Sequence, residues 1–497
     1  MNNNVKRLIR LVLVLFVIIG AILLLVWASK QSVIEISAKS EDKSAEVIIS
    51  LDNGTDKQEF IVKPDENKKI RLKKGDYQIY AQQNSRAHLN SVKLGGFFKT
   101  IKYELALSPE TNRAFLGDNP SECPLLIGEL LVSTSCGGAY IDFRIHKPAS
   151  DNTPSYVVEK KTANLGIIEG VISNKTGASL IARTQVSGGD ELRLYRLNPS
   201  NNDLKSEIVG KIEGIESLSQ INTRAYKNGY ILYDEDISKI YFFETLSSLS
   251  PYKNISIEKP KSASLNPTSV IVKDDGWAIL YADTPIDGNL PKKSEILLSS
   301  GEKIKLKDAM VGIEYCGNTN ICGLTNNGYL VNFSANENGY KEARRMPGVV
   351  QISSSADNKL YILTDRLAAE YNAETGESKV MYSEGEYEIQ DIFTESGIIV
   401  TIKGVDSKNR AIVLDPKFTD NNIDKLLVKL LKSDDVVFSI YKNVVFAALD
   451  LPPAPFNSNT GLFSHPDSFI IQQETKIRKI FDESGINKDN YRLVIPI

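Results

Sequence analysis

The sequence predicts a mainly β protein with four parts: an N-terminal single transmembrane helix, a small β-sandwich, a β-propeller of about seven blades, and a short α/β C-terminal tail. Three observations predict this order. An uncharged apolar run covers 11–28, short alternating strands follow over 32–112, and a loose repeat covers 113–450. Alternation indicates strands, and a repeat of about 40 to 50 residues is typical of four-stranded propeller blades.

The apolar run 11–28 reads LVLVLFVIIGAILLLVWA. At about 1.5 Å per residue it makes roughly 27 Å of helix, close to the ~30 Å hydrocarbon core of a bilayer. A buried core helix is one alternative, although globular helices alternate polar and apolar faces. A cleaved signal peptide is another, but no A-x-A cleavage site follows the run. The sequence therefore favours an uncleaved anchor, with the lipid bilayer as its partner.

Basic residues around this run predict its orientation. Three lie on each side: Lys6, Arg7 and Arg10 before it, and Lys30, Lys39 and Lys43 after it. Those closest to the run favour a cytoplasmic N-terminus. The expected localisation is the cell membrane, single-pass, with a cytoplasmic head over 1–10 and an extracytoplasmic C-terminal ectodomain, in a bacterial cell envelope.

Composition limits the possible partners. The 497 residues carry a formal charge of -3 from 59 basic and 62 acidic residues. This balance leaves no electrostatic footprint for nucleic acid. Charged residues make up 24% and hydrophobic residues 42% of the chain, which is typical of ordinary folded protein.

The four cysteines form two local pairs, Cys123 with Cys136 and Cys316 with Cys322. Local pairs predict two short disulfide loops, which require an oxidising compartment. Free thiols remain an alternative. A zinc site is a further one, although neither spacing is C-x-x-C and the nearest histidine is His146. The sequence predicts no other metal site and no cofactor.

The segment 32–112 contains short runs of alternating apolar and polar residues separated by turns at 52–54 and 74–76. Such runs predict a small β-sandwich. Within it, 70–82 reads IRLKKGDYQIYAQ and resembles the strand-turn-strand of PEGA-type surface domains, although the Pro-Glu-Gly-Ala turn itself is absent. The resemblance implies a spacer or envelope-binding element rather than an enzyme.

The repeat over 113–450 pairs an apolar strand with a Gly or Asn turn and a polar tail. Its aligned centres are Tyr195, Tyr241, Leu297, Leu330, Glu370 and Ile412, with a preceding unit at 130–145. This spacing predicts about seven blades. An array of β-sandwiches is the alternative. The piece LAAEYNAETGES from Leu367 resembles the ends of quinoprotein/WD40-like propeller blades, which implies the fold and no quinone; Gly376 is expected to supply a positive φ at its turn.

The C-terminal part contains four further predicted elements. The run 421–433 has the apolar spacing of an amphipathic helix that packs on the propeller. A hairpin over 436–449 is predicted to supply the strand that closes the ring of blades. Three prolines make 451–458 an extended linker. The tail 459–497 is predicted to hold one helix ending at Gly485 and a last strand at 491–497, docked on the propeller or on another protein.

No catalytic motif is present, including G-x-S-x-G, H-E-x-x-H and the phosphate-binding glycine loops. The three histidines, His88, His146 and His465, are isolated in the chain. Acidic clusters at 234–236, 274–275 and 434–435 lack the spacing of a Ca²⁺ loop and are expected to be solvated loop ends. The segment 355–357 begins like a sialidase turn but lacks its Gly and Trp. The sequence therefore names no catalytic, cofactor-binding or metal-binding residue.

Two functions remain open on the sequence. The first is a membrane-anchored extracytoplasmic binding or scaffold protein whose propeller presents a face to an envelope protein or glycan. The second is an extracytoplasmic hydrolase or lyase that gathers carboxylates from several blades at the propeller axis to act on envelope polysaccharide. Two or more carboxylates converging in a deep axial pocket favour the enzyme, and a plugged or shallow axis favours the binding protein.

Overall fold

The computed structural model describes residues 18 to 494 of the chain, with gaps. The gaps are 41–42, 44, 84–85, 110–112, 119–122, 128–129, 135–140, 147–156, 163–165, 175–176, 201–202, 216–220, 258–264, 275, 284–289, 318, 337–338, 356–358, 384–387, 395–396, 404–408, 415–435, 442–443, 450–455, 458–461, 464–466 and 484–491. The predicted amphipathic helix over 421–433 therefore lies outside the described residues.

Residues 18–29 form a helix, α1, whose apolar side chains are largely exposed. Helix α1 ends at a turn in which the Lys30 amide donates to the Trp27 carbonyl at 3.1 Å. The Trp27 ring meets the Phe98 ring edge to face, with centroids 5.4 Å apart. The end of α1 is thus attached to the strands that follow it.

The predicted transmembrane helix over 11–28 is wrong. Within the residues that the structure describes, no helix combines the length and the apolar character needed to cross a bilayer. Of the predicted span, residues 18–28 lie in the described part and belong to helix α1. Residues 1–17 lie outside the described part. The single-pass localisation, the cytoplasmic head and the bilayer partner were deduced from that helix and are withdrawn with it.

A β-sandwich follows α1. Its strands are β1 (Gln31–Lys39), β2 (Val47–Asp52), β3 (Lys57–Val62), β4 (Asn67–Lys73), β5 (Gly75–Gln83), β6 (Arg86–Leu94), β7 (Lys99–Ala106) and β8 (Ser108–Pro109). One sheet has the order β4-β1-β7 and the other contains β3-β2-β5-β6, with β8 paired to β6. Strand β1 alternates strictly, so Ile34 and Ile36 are fully buried against Ile49 and Ile79 of the opposite sheet. Alternation with period two is what places these side chains on one face.

The remaining described strands up to Leu414 form seven blades of four strands, six of them separate sheets and one, blade 6, part of the larger sheet that includes the sandwich. Strand β9 (Arg113–Asp118) is the first strand of this region, and it belongs to the last blade. Blade 1 contains β10 (Cys123–Ile127), β11 (Leu130–Thr134), β12 (Ile141–His146) and β13 (Val157–Thr162). Blade 2 contains β14 (Ile167–Asn174), β15 (Gly177–Val186), β16 (Gly189–Ser200) and β17 (Asp203–Lys211). Blade 3 contains β18 (Ile221–Tyr226), β19 (Gly229–Asp234), β20 (Lys239–Phe243) and β21 (Lys253–Ser256).

Blades 4 to 6 follow the same order. Blade 4 contains β22 (Asn266–Lys273), β23 (Gly276–Ala282), β24 (Ser294–Leu298) and β25 (Lys303–Ile304). Blade 5 contains β26 (Met310–Tyr315), β27 (Ile321–Thr325), β28 (Leu330–Asn336) and β29 (Gly339–Met346). Blade 6 contains β30 (Val349–Ser354), β31 (Leu360–Thr364), β32 (Leu367–Tyr371) and β33 (Glu377–Ser383).

Blade 7 is assembled from both ends of this region. It contains β34 (Glu388–Phe393), β35 (Ile399–Lys403) and β36 (Asn409–Leu414), and its outer strand is β9. Strand β9 pairs antiparallel with β36, with Phe115 opposite Ile412. The prediction that the hairpin at 436–449 closes the ring is therefore wrong. That hairpin, β37 (Val436–Tyr441) and β38 (Val444–Leu449), forms a separate sheet and lies beside β9.

Hydrogen bonds join successive blades, and the β9–β36 ladder links the two ends of the region. The Ser179 hydroxyl in blade 2 donates to the Leu246 carbonyl of blade 3 at 2.7 Å, and the Asn332 amide in blade 5 donates to the Ala373 carbonyl of blade 6 at 2.6 Å. The Gln351 side chain of blade 6 bonds both the amide and the carbonyl of Ile392 in blade 7. Seven radially repeated antiparallel sheets form a β-propeller. The prediction of a mainly β fold with a propeller is confirmed.

The sandwich is fused to the propeller rather than held away from it. Strand β6 pairs with β33, the outer strand of blade 6, so that one continuous sheet crosses from sandwich to propeller. Tyr80 and Leu89 of the sandwich are buried in one core cluster with residues of blades 5 and 6. The Tyr329 hydroxyl donates to the Asn53 carbonyl at 2.8 Å, and the Gln78 amide donates to the Pro347 carbonyl at 3.0 Å. The predicted domain limits, 32–112 and 113–450, stay predictions.

The described part of the C-terminal tail contains a helix and three short strands. Short strands β39 (Phe456–Asn457) and β40 (Leu462–Phe463) precede helix α2 (Asp467–Glu483), and β41 (Arg492–Val494) follows it. Ile477 and Phe481, four residues apart on α2, are buried. Strand β41 pairs parallel with β38, so the end of the chain joins the sheet that lies beside β9.

Candidate functional site

A cavity of about 290 Å³ opens at the propeller axis. It is lined by the last residues of the inner strands of four blades, β18, β22, β26 and β30, and by the turns that follow them. Inner strands of successive blades meet at the axis, so residues far apart in the chain converge there. We call this cavity the axial pocket, and its charged residues are Arg224, Lys227, Lys273, Asp274 and Glu314.

Arg224 lies at the base of the axial pocket, where it bonds residues of three other blades. Its Nη2 lies 2.5 Å from Oε2 of Glu314 in blade 5 and 3.2 Å from Oγ of Ser354 in blade 6. Its Nη1 donates to the Val270 carbonyl of blade 4 at 3.3 Å. The Ser354 hydroxyl also donates to Glu314 at 2.6 Å. One guanidinium in blade 3 thus holds blades 4, 5 and 6 together across the axis.

Two tight hairpins form the rim of the axial pocket. The turn after β18 begins with Lys227 and the turn after β22 begins with Asp274, and both residues have positive φ, 52° and 50°. Two-residue hairpin turns require such conformations, because only they match the strand twist. Nζ of Lys227 lies 3.3 Å from the Asp274 carboxylate, so the two rims are paired. The Tyr226 hydroxyl donates to the Asp274 carbonyl at 2.7 Å.

Lys273 adds a third cation at the end of β22. Its Nζ donates to the Gly317 carbonyl at 2.8 Å and lies 5.8 Å from the centre of the Tyr315 ring. Burial raises the pKa of the Tyr315 hydroxyl and of the Tyr226 hydroxyl. Both phenols are therefore neutral donors at physiological pH. Tyr233 and the serines at 353–355 complete a polar, partly aromatic lining.

The axial pocket contains two carboxylates, but each is held by a cation. Glu314 is bonded by Arg224 and Ser354, and Asp274 is at the rim beside Lys227. A general acid and base pair needs groups that are available to exchange protons with substrate. Here the two carboxylates are paired with cations instead, and the mouth of the pocket carries an excess of positive charge. Among the described residues, no group of three or more potential ligands could hold a metal ion.

The residues singled out from the sequence are distributed unevenly. Asp274 of the 274–275 cluster and Ser355 of the sialidase-like segment line the axial pocket. Asp234 instead closes its own turn, accepting from the Ser238 amide at 2.7 Å. The cluster 434–435, His465 and Asp357 lie outside the described residues. His88 lies on β6, where Nδ1 is 3.1 Å from the Ala106 carbonyl oxygen.

The cysteines are likewise split. Cys316 and Cys322 are buried in blade 5 at disulfide-bonding distance, with Cα atoms 5.8 Å apart, and they close the turn between β26 and β27. Cys123 lies in β10, and its predicted partner Cys136 lies outside the described residues. The turn at Gly376 has the expected positive φ of 79°. This positive φ is the reason that the turn favours glycine.

Comparisons with known proteins give no family. No family model matches the chain, and no curated protein matches it. The resemblance of 70–82 to PEGA-type domains therefore gains no support. Among solved structures, the chain is similar to the WD40 β-propeller domain of Doa1, with a TM-score of 0.38, 12% identity, and coverage of 62% of this chain and 97% of that one.

Two further similar structures are Sqt1 proteins. For Saccharomyces cerevisiae Sqt1 the TM-score is 0.34 at 11% identity, covering 69% of this chain and 92% of that one. For Chaetomium thermophilum Sqt1 the TM-score is 0.35 at 11% identity, covering 78% of this chain and 94% of that one. Likenesses at this level carry no weight for function. The propeller assignment rests on the seven sheets themselves.

Proposed function

We propose that this chain is a protein-binding platform, in which the propeller presents the axial pocket to a segment of a partner protein. The observation that supports it most is the convergence of four blades on one polar pocket whose base is fixed by the Arg224 network. A rigid scaffold that gathers donors from separate strands is the usual way in which propellers and similar folds build binding sites.

The fused sandwich strengthens this proposal. Its ladder with blade 6 and its shared core with blades 5 and 6 make sandwich and propeller one body, so the pocket is held from outside the ring as well. Such pre-organisation lowers the entropy cost of binding. The hydrolase or lyase is less favoured, because Glu314, the more buried of the two pocket carboxylates, is held by Arg224 and Ser354.

A steric block tests the proposal. Random dodecapeptides displayed on phage are selected on the purified full chain, and the selected peptides are then measured against Ser355→Trp, which places an indole in the axial pocket. We expect affinity to fall by about tenfold or more, since a filled pocket excludes the bound side chain. Ser300→Trp, at an exposed turn of blade 4 outside the pocket, is the matched control. Peptides that bind Ser355→Trp as well as the unchanged chain would show that the pocket is not the site.

A further inference from the structure

We infer that the group recognised by the axial pocket is a carboxylate, an aspartate or glutamate side chain of the partner protein. This inference rests on the proposed function and specifies its ligand. Three cations and two carboxylates line the pocket, which leaves an excess of one positive charge. An electropositive, partly dehydrated cleft attracts an anionic group over a neutral one.

The ligand carboxylate does not displace a group at the base of the axial pocket. Arg224 and Glu314 have side chains only 27% and 14% exposed, and Ser354 bonds both of them. Breaking a pair this buried leaves an uncompensated charge, which is costly. The base therefore stays closed, and its net charge is zero.

The rim is different. The Lys227 and Asp274 side chains are 58% and 75% exposed, and an ion pair so well solvated contributes little to stability. A ligand carboxylate can therefore take the place of Asp274 beside Lys227 at small cost. Lys273 is at the same end of β22, one residue before Asp274. The two lysines can then bind one incoming carboxylate from adjacent blades.

The size and walls of the pocket fit one such side chain. A volume of about 290 Å³ holds one residue and part of its neighbours rather than a folded element. The Tyr226 and Tyr315 rings offer apolar faces for the methylene groups of glutamate, beneath the two lysines. Charge-assisted hydrogen bonds to a carboxylate are among the stronger polar contacts in proteins.

The experiment compares two octapeptide libraries that are identical except for Glu or Gln at a fixed central position. Binding to the purified full chain is measured by fluorescence anisotropy at constant ionic strength. We expect the Glu library to bind about tenfold more tightly. Lys227→Gln and Lys273→Gln should each remove most of that preference. Asp274→Asn should increase affinity for the Glu library, because it removes the competing carboxylate. Lys239→Gln, on β20 of blade 3 and outside the pocket, is the matched control.

The outcomes separate this inference from the proposed function. Equal binding of both libraries, lost in Ser355→Trp, would keep the pocket as the site and overturn the carboxylate. A Glu preference that is unchanged in both lysine variants would place the anion site elsewhere and also overturn the inference. Failure of both libraries to bind would count against the pocket as a peptide site, and so against both proposals.

Discussion

Nη2 of Arg224 lies 2.5 Å from Oε2 of Glu314, although the two residues belong to blades 3 and 5. This pair crosses the propeller axis, and Ser354 of blade 6 bonds both partners. The axis is therefore held by charge and hydrogen bonding where four blades meet. Substituting either partner should therefore lower the free energy of unfolding of the whole propeller.

Glu314→Gln tests this directly. The substitution keeps the side-chain shape but leaves the Arg224 guanidinium without its counter-charge in a mostly buried site, so we expect the free energy of unfolding to fall by about 1 to 3 kcal/mol. Urea denaturation measures the change. Glu370→Gln is the control, because its partner Lys359 is 50% exposed and such pairs contribute about 0 to 1 kcal/mol. Equal losses in both variants would contradict a special role for the axial pair.

The joint between sandwich and propeller predicts a single unfolding transition. The chain has two tryptophans, and they lie on opposite sides of the joint: Trp27 contacts the sandwich at Phe98, and Trp277 lies in β23 of blade 4. Fluorescence of Trp277→Phe should report the sandwich, and that of Trp27→Phe the propeller. Because Leu89 and Tyr80 are buried in a core shared with blades 5 and 6, the two midpoints should coincide.

Leu89→Ala sharpens this test. Removing a fully buried side chain from the shared core should lower the free energy of unfolding by about 2 to 5 kcal/mol, seen equally by both tryptophans. If the Trp277→Phe and Trp27→Phe proteins without the Leu89 substitution unfold at different midpoints, the sandwich and the propeller fold independently. That result would contradict the continuous sheet.

The cysteine pair of blade 5 gives a chemical prediction. Mass spectrometry of peptides prepared without reductant should show Cys316 linked to Cys322, with a second link between Cys123 and Cys136. Replacing both Cys316 and Cys322 with Ala should lower the free energy of unfolding by roughly 2 kcal/mol, the chain-entropy value for so short a loop. Complete alkylation of these thiols in the native protein would rule the bond out.

The buried imidazole of His88 should make the free energy of unfolding depend on pH in the acid range. Burial lowers the pKa of its imidazole from the usual 6.5, so the folded state favours the neutral ring, while Glu377 and the Ala106 carbonyl act in the opposite direction. The unfolded chain therefore binds the proton more readily, and stability should be constant above about pH 6.5 and fall as pH decreases below it. Denaturation midpoints between pH 5 and 8 measure this. A His88→Asn variant should lose that part of the acid slope, and an unchanged slope would assign it to other groups.

The sequence repeat located the blades through a single recurring element. Tyr195, Tyr241, Leu297, Leu330, Glu370 and Ile412, the aligned centres of the repeat, fall in β16, β20, β24, β28, β32 and β36. Each is the third strand of its blade. Local pattern was enough here because these strands carry a short apolar run that recurs once per blade.

The axial pocket could not be found in this way. Arg224, Lys273 and Glu314 belong to three blades, and their convergence depends on ring closure rather than on neighbouring residues. The signal that was available lay in the turns. The turn at Lys227 is followed by Gly229 and the turn at Asp274 by Gly276, and each glycine starts the next strand. Such hairpin signals mark where inner strands end, and so where the rim of an axial pocket lies.

Ring closure was wrongly assigned for a physical reason. The hairpin at 436–449 is as apolar as a closing strand, but β9 takes the place beside β36 and the hairpin contacts β9 from a separate sheet. The transmembrane prediction is also wrong: the run is apolar in sequence, but the described residues contain no helix that is both long and apolar enough to cross a bilayer.

The origin of the last outer strand also constrains how this protein is made. Strand β9 leaves the ribosome early, but its partner β36 is synthesised about 300 residues later, on the order of 15 to 60 seconds at 5 to 20 residues per second. For that interval β9 has an unsatisfied edge, which is the kind of surface that associates with other nascent chains. A ring locked by its first strand therefore leaves that strand in need of protection until β36 emerges.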